Sequence, residues 1–176
     1  MNTLSEKEDA CMTYCGPWTL QDGPEAFHLA LLGSCLDVNA IWEGGYITRI
    51  DLRLCGDACG TGAGCGLAFS RLRDILEAVL SGSVRCGSIP AKARGSKFQT
   101  KVWAALLSIP RGSVITYGQL ADMIGCASPR AIGQALGANP LPIIIPCHRV
   151  VGADGLGGFS CGINVKRLLL RSEGIM

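Results

Sequence analysis

Residues 141–151 read Leu-Pro-Ile-Ile-Ile-Pro-Cys-His-Arg-Val-Val, and few stretches restrict a fold more. Pro142 and Pro146 fix their own φ, lack an amide hydrogen and push the residues before them towards extended geometry. The stretch therefore gives the residues that follow the second proline a stiff support. Those residues are Cys147 and His148, the latter one of only two histidines. A cysteine thiolate is the strongest common side-chain nucleophile, and imidazole is the usual group that activates it. Adjacent side chains on an extended segment point to opposite faces. His148 therefore need not touch Cys147, and a water or a turn can link them. A third group should orient the imidazole. Glu173, one of only three acids in residues 95–176, is the natural candidate.

The chain of 176 residues is long enough for one ordinary domain, or for a small domain beside a medium one. Hydrophobic content of 48% against 17% charged residues indicates a packed globular protein. The first ten residues are polar and acidic, unlike a secretory signal, and the longest apolar runs are far too short to span a bilayer. A protein without a membrane anchor, in the cell interior, is the expectation. Residues 1–94 carry 8 Lys/Arg and 11 Asp/Glu, a net of −3, whereas residues 95–176 carry 8 and 3, a net of +5. This asymmetry suggests two units, the second with an anionic partner; chance segregation of surface charge is the alternative.

Ten cysteines could suggest a disulfide framework, but nothing marks the chain as secreted. Cys11/Cys15 and Cys55/Cys59 are spaced by three intervening residues, with Cys65 nearby, and these are not the usual zinc spacings. His28 is the one N-terminal histidine that could complete such a set. Reduced thiols and no bound metal are the expectation.

Phe27–Gly33 and Tyr46–Leu54 read as strands, with Gly44-Gly45 as a turn ahead of the second. Cys55–Gly66 reads as a Gly/Cys-rich loop. Leu67–Leu80 places Leu67, Leu72, Ile75, Leu76, Val79 and Leu80 on one side of a helix. Gly82–Gly95 reads as a linker, with a domain boundary near Ala93. Phe98, Val102, Trp103, Leu106 and Leu107 then recur at helical spacing up to Ile109-Pro110-Arg111-Gly112. Thr116 can cap a helix over Tyr117–Ile124. After the turn Gly125-Cys126-Ala127, Ser128 can cap another, with Pro129 at its first position, running to about Gly137. Two short helices about a tight turn make a helix-turn-helix, whose second helix would enter a nucleic-acid groove. A plain helical hairpin is the commoner arrangement. The basic balance of this half and the small face Ser128-Pro129-Arg130-Ala131, then Gly133 and Gly137, favour the DNA-binding one.

Taken singly, Cys147 reads as an inert buried thiol, His148 as a core histidine and Glu173 as a solvated carboxylate. Together with their surroundings they read differently. Phe98-Gln99, Val102-Trp103, Ile109-Pro110, Thr116-Tyr117, Pro129-Arg130-Ala131-Ile132-Gly133, Asn139-Pro140, Pro146-Cys147-His148-Arg149-Val150, Gly157-Gly158-Phe159-Ser160 and Glu173-Gly174 occur in that order. Over Gly95–Gly174 the chain resembles the O6-alkylguanine-DNA alkyltransferases, whereas residues 1–94 match only loosely. The resemblance implies an α+β protein. A small N-terminal α/β domain of ribonuclease-H-like type with antiparallel strands, residues 1–93, would precede a mostly helical domain, residues 94–176, with the helix-turn-helix and an active-site loop. It implies that Cys147 accepts the alkyl group from guanine O6, and that His148 takes the thiol proton with Glu173 orienting it. Tyr117 would donate to the guanine ring, and Asn139 would bridge recognition helix and active-site segment. Arg130 would fill the gap left by a flipped nucleotide, helped at the DNA by Ser128, Ala131 and Gly133. Val150, Phe159, Ser160 and Cys161 would hold the base. No cofactor is implied and no metal at the site; some members of the family hold zinc in the N-terminal domain, which raises that alternative only slightly. The partner would be double-stranded DNA with an alkylated base, the protein a monomer acting in the cytoplasm of a prokaryote or the nucleus of a eukaryote.

The chain departs from the family pattern at Ser128-Pro129, at Phe159, which often has a tyrosine counterpart, and at Cys161, which replaces a usual glycine. A β-carbon at Cys161 would narrow the pocket and favour methyl over benzyl groups. Three other readings compete. A cysteine hydrolase built on Cys147, His148 and Glu173 would turn over. A lesion-binding module would lack the acceptor cysteine, and Cys147 is present. A zinc or redox protein would rest on the N-terminal cysteines.

Overall fold

A computed structural model of the protein describes residues 10–14, 23–32, 34–55, 67–84 and 88–176. Five strands form one sheet: β1 (Ala10–Tyr14), β2 (Gly23–Leu31), β3 (Ser34–Glu43), β4 (Tyr46–Leu54) and β5 (Ala91–Gly95), in the order β1-β5-β4-β3-β2. β5 pairs parallel to β4, and the other neighbours are antiparallel. Gly44 and Gly45, at φ 58° and 77°, form the two-residue β3–β4 turn, and left-handed geometry at both positions is what that tight connection needs. Alternation along β3 buries Leu36, Val38, Ala40 and Trp42 on one face. Helix α1 (Leu67–Ser81) comes after the sheet's first four strands, and its Leu72, Ile75, Leu76, Val79 and Leu80 are buried in the same core as that face, at the spacing of a single helical stripe.

The expected linker Gly82–Gly95 is not a linker throughout. Its last five residues are β5, buried at Ala91 and Ala93, and the expected boundary near Ala93 falls inside that strand. Strand pairing between β5 and two partners distant in sequence outweighs the local Gly, Ser and Lys/Arg signals. β3 and β1 were likewise not expected. The expected strand Phe27–Gly33 starts four residues earlier, at Gly23, and stops at Leu31; Leu32 (φ 49°) turns away from it.

Helix α2 (Lys97–Leu106) is capped by a reciprocal pair, Ser96 Oγ accepting from Gln99 N while Gln99 Oε1 accepts from Ser96 N. Gly95 must be glycine, because a β-carbon there would lie 2.6 Å from Trp103 Cη2. Trp103 in turn donates from Nε1 to Ala135 O at 2.9 Å, tying α2 to the helix α4 (Pro129–Gly137). Helix α3 (Tyr117–Met123) carries the second capping box, Thr116 with Gln119. Gly125 (φ 65°) makes the turn to α4, which starts at the Ser128 cap with Pro129 in its first turn. Short parallel strands β6 (Ile115–Thr116) and β7 (Val150–Val151) pair with each other, and helix α5 (Ile163–Ser172) is the last element. Arg111 joins the ends of two helices, donating to Leu80 O at the end of α1 and Ser172 O at the end of α5, both at 2.6 Å.

Among the described residues, no helix is long and apolar enough to cross a membrane. The same residues contain no group of three or more His, Cys, Asp or Glu side chains that could hold a metal ion. Cys15, Cys59, Cys65 and the side chains of Cys11 and His28 lie outside the described residues, so the zinc and redox reading is not addressed there.

Candidate active site

The proline-bracketed segment does not stay extended. Ile145 N donates to Leu141 O and Arg149 N to Pro146 O, so Cys147–Arg149 coil into one turn of 3₁₀ helix. Ile143, fully buried, sits at φ 75°, a left-handed conformation that a β-branched residue adopts only when its surroundings enforce it. Burial of all three isoleucines holds this bend in place, and local proline preference could not reveal it.

Cys147 is 3% exposed. Asn139, at the end of α4, donates from Nδ2 to Cys147 Sγ at 3.0 Å and to Ile145 O at 2.9 Å, while its Oδ1 accepts from Leu141 N at 3.0 Å. One amide thus fixes sulfur, segment and helix together. Burial pushes the Cys147 thiol up to about 12, against the hydrogen bond from Asn139. The resting group is therefore a thiol and needs a base to become a nucleophile.

His148 is completely buried, and its Nε2 lies 2.9 Å from Glu173 Oε1. Burial pushes the imidazole below its ordinary range, so it is neutral at physiological pH. Burial alone would raise Glu173, but hydrogen bonds from His148 and Arg149 and their charges hold it at about 2. An ionised carboxylate only accepts, so Nε2 carries the proton and Nδ1 the lone pair. Nδ1 is buried without a protein partner. It has the form of a waiting base, and it makes no direct hydrogen bond to Cys147.

Two residues central to this arrangement were not expected. Arg149 is buried and donates to both Glu173 oxygens at 2.8–3.1 Å and to Ile109 O at 2.8 Å. Gly112 N adds a longer contact to Glu173 Oε2 at 3.3 Å. Lys166, on α5, is fully buried and donates to the carbonyls of Val150, Leu156 and Gly158. Burial lowers it to about 8. The available signal was weak, a single lysine amid the apolar positions Val165, Leu168 and Leu169.

Cys147 opens onto a cavity of about 580 Å³ between α4 and the loop 157–161. Tyr117, Arg130 and Gly133 line it on the helical side, with Phe159 and Ser160 opposite. Tyr117 is half-buried, and its hydroxyl donates to Gly158 O at 3.2 Å. Arg130 is exposed, as is Pro129, which also lines the cavity. Ser128 is exposed but spends its hydroxyl on the α4 cap, accepting from Ala131 N. Two residues expected in the base pocket are not among those lining it. Val150 is buried in β7, where its carbonyl meets Lys166. Cys161 is half-buried, with Ser160 Oγ 3.9 Å from its sulfur and Leu52 of β4 within its surroundings. Its side chain therefore does not narrow the cavity as expected, because the loop turns it towards the sheet.

A cysteine and an Arg-bearing helix lining one cavity, with a carboxylate-held neutral imidazole buried next to the cysteine in sequence, suit attack by sulfur on a group carried by a nucleic acid. Known proteins resemble the chain in the same parts. Residues 97–175 match the family described as 6-O-methylguanine DNA methyltransferase, DNA binding domain. A methylated-DNA–protein-cysteine methyltransferase of Mycobacterium tuberculosis is 48% identical over 108 residues, 60% of this chain and 66% of that protein. The counterpart from Saccharolobus solfataricus is 46% identical over 86 residues, 49% of this chain and 56% of that protein. The chain thus spans between about half and two thirds of the length of these curated relatives. The crystal structure of O6-methylguanine-DNA methyltransferase from Pyrococcus kodakaraensis superposes with a TM-score of 0.72 at 28% identity, covering 86% of this chain and 99% of that one. Mycobacterium tuberculosis OGT in complex with DNA gives 0.66 at 38% identity, covering 85% and 91%. The chain belongs to the O6-methylguanine-DNA methyltransferase family.

Proposed function

We propose that the protein repairs DNA by direct reversal, moving the methyl group of O6-methylguanine in a duplex onto Cys147. O4-alkylthymine is a further substrate of the same chemistry. The observation that carries this reading is Cys147 held by Asn139 at the floor of a cavity, with the His148–Glu173 pair behind it.

The thiol proton passes through a water to His148 Nδ1, the imidazole being oriented by Glu173. Sulfur attacks the methyl carbon, the S–C bond forms and the C–O6 bond breaks. The electron pair goes to the base, and Tyr117 turns its hydroxyl to the guanine ring to meet the growing charge. The product is a thioether, which water does not cleave, so each molecule acts once. Displacement at carbon by sulfur calls for no cofactor.

We read the chain through the end of β5, two residues past the expected limit at 93, as a ribonuclease-H-like unit, supported by three antiparallel strands followed by α1 and a parallel β5. The residues after β5 form the DNA-binding and acceptor unit, with α3 and α4 as a helix-turn-helix. Arg130, on the exposed side of α4, fills the place of the flipped nucleotide, and Ser128, Ala131 and Gly133 let the backbone approach. Phe159 and Ser160 hold the base. The protein acts as a monomer on DNA, in the cytoplasm of a prokaryote or the nucleus of a eukaryote.

The deciding experiment incubates the protein with a duplex carrying O6-methylguanine and then digests it for mass spectrometry. One methyl on the Cys147 peptide, with activity exhausted at one equivalent, is the expected result. Sustained release of free product would point to a hydrolase instead.

A further inference from the structure

The proton path from Cys147 to His148 leaves the buried charge of Lys166 unused. Burying an ammonium is costly unless its donors are met. Those of Lys166 go to the carbonyls of Val150, Leu156 and Gly158. An ammonium has three donors and no acceptor, so these bonds use it fully. Two of the carbonyls belong to the loop ahead of Phe159 and Ser160, and the third lies three residues beyond Cys147.

Gly158 O is shared. The Tyr117 hydroxyl donates to it at 3.2 Å, and so does Lys166, also at 3.2 Å. The ammonium stands 6.0 Å from the centre of the Tyr117 ring. One carbonyl oxygen has two lone pairs and can serve both donors. When a base fills the cavity, water is displaced from Gly158, which lines it. If Tyr117 then turns to the base, Gly158 O still has Lys166. Without the lysine, the same turn would strand a desolvated carbonyl, and Tyr117 would be held where it is.

We propose that Lys166 is a positioning residue for the transfer, satisfying the Gly158 carbonyl so that the Tyr117 hydroxyl can leave it for the guanine base. This rests on the methyl-transfer reading and deepens it. Lys166 makes and breaks no covalent bond.

A double-mutant cycle on the full chain tests this, read as the single-turnover rate of methyl transfer from an O6-methylguanine duplex to Cys147. Duplex affinity and melting temperature are measured on every variant. Lys166→Met should slow transfer about ten- to a hundredfold, the size of a lost charge-assisted hydrogen bond. Its duplex affinity should stay within about twofold of wild type, the scatter of an uncoupled site. In a Tyr117→Phe background the same substitution should cost no more than about twofold, because the hydroxyl it serves is gone. Lys166→Arg should recover part of the rate. Should Lys166→Met fail to fold, Lys166→Gln carries the same cycle. Equal losses in both backgrounds, or an unchanged rate in the single variant, overturn the role of Lys166 alone. A wild-type protein that leaves the methyl on the DNA overturns the transfer reading, and this role with it.

Discussion

His148 and Glu173 meet 2.9 Å apart with both side chains out of reach of solvent, and Arg149 grips the same carboxylate. The carboxylate balances a buried guanidinium while fixing the tautomer of a buried imidazole. Glu173→Gln should therefore cost stability as well as chemistry. Leaving Arg149 without its counter-charge should destabilise the fold by about 3–5 kcal/mol. Urea unfolding measures the first effect and single-turnover methyl transfer the second. A variant with wild-type stability would mean that Arg149 finds another partner.

Acid should act through the same pair. His148 is pushed down by burial, so the unfolded chain takes the imidazole proton first, and stability declines as pH falls through and below about 6.5. Glu173 titrates at about 2 in the fold instead of 4.5, so its contribution is complete above 4.5 and is lost between there and 2. The carboxylate step corresponds to roughly 3 kcal/mol. Stability curves from pH 8 to pH 3 should fall in that order for wild type. In Glu173→Gln the lower step should be absent.

Asn139 has three hydrogen bonds to lose. Asn139→Ala would leave Leu141 N without this partner in a buried bend, while Ile145 O keeps the bond from Cys147 N, at a cost of about 1–3 kcal/mol. Asn139→Asp separates stability from chemistry. A carboxylate can still accept from Leu141 N, but beside the sulfur it opposes thiolate formation. Transfer should slow more than about tenfold with a smaller loss of stability, and equal rates for Asp and Asn would remove the amide from the chemistry.

Gly157 stands at φ 67°, and a β-carbon there would come within 2.8 Å of Tyr117 Cε2 and 3.0 Å of its hydroxyl. Gly157→Ala should cost about 1–2 kcal/mol from backbone conformation alone and should also displace the phenol. Its melting temperature and transfer rate should both fall. Tyr117→Phe introduced beside it should then slow transfer further by only a small factor.

Arg130 is an exposed cation at the cavity mouth, on a helix start otherwise made of small and neutral residues. Its weight should fall on DNA and not on sulfur chemistry. In Arg130→Ala, the ratio of transfer from duplex to transfer from the free modified base should drop about tenfold or more. An unchanged ratio would move the flipping role to another residue.

Legibility of these features tracks their range along the chain. Thr116, Ser128 and Pro129 announce α3 and α4, because capping is settled within four residues. Helix α5 begins at Gly162 with no side-chain cap, so no local signal marks it. β3 mixes Cys, Asp and Asn with its apolar residues, and β5 is short and basic. Each becomes a strand through its partners. At the site, Glu173 is legible because acids are scarce in residues 95–176. Arg149 and Lys166 are not, because nothing in a sequence distinguishes a buried cation from a solvated one until the fold closes over it.

One hydrogen bond reaches from the sheet to the corner beside Asn139: Ile50 N, in β4, donates to Pro140 O at 2.8 Å. That amide is a natural gauge. Its deuterium exchange depends on the Asn139–Pro140 corner staying in place, and Asn139 Nδ2 at that corner is bonded to the Cys147 sulfur, so a methyl group on the sulfur should disturb it. A single backbone resonance in the sheet would thus tell spent molecules from fresh ones in a mixed sample, without a label on the DNA or on the cysteine.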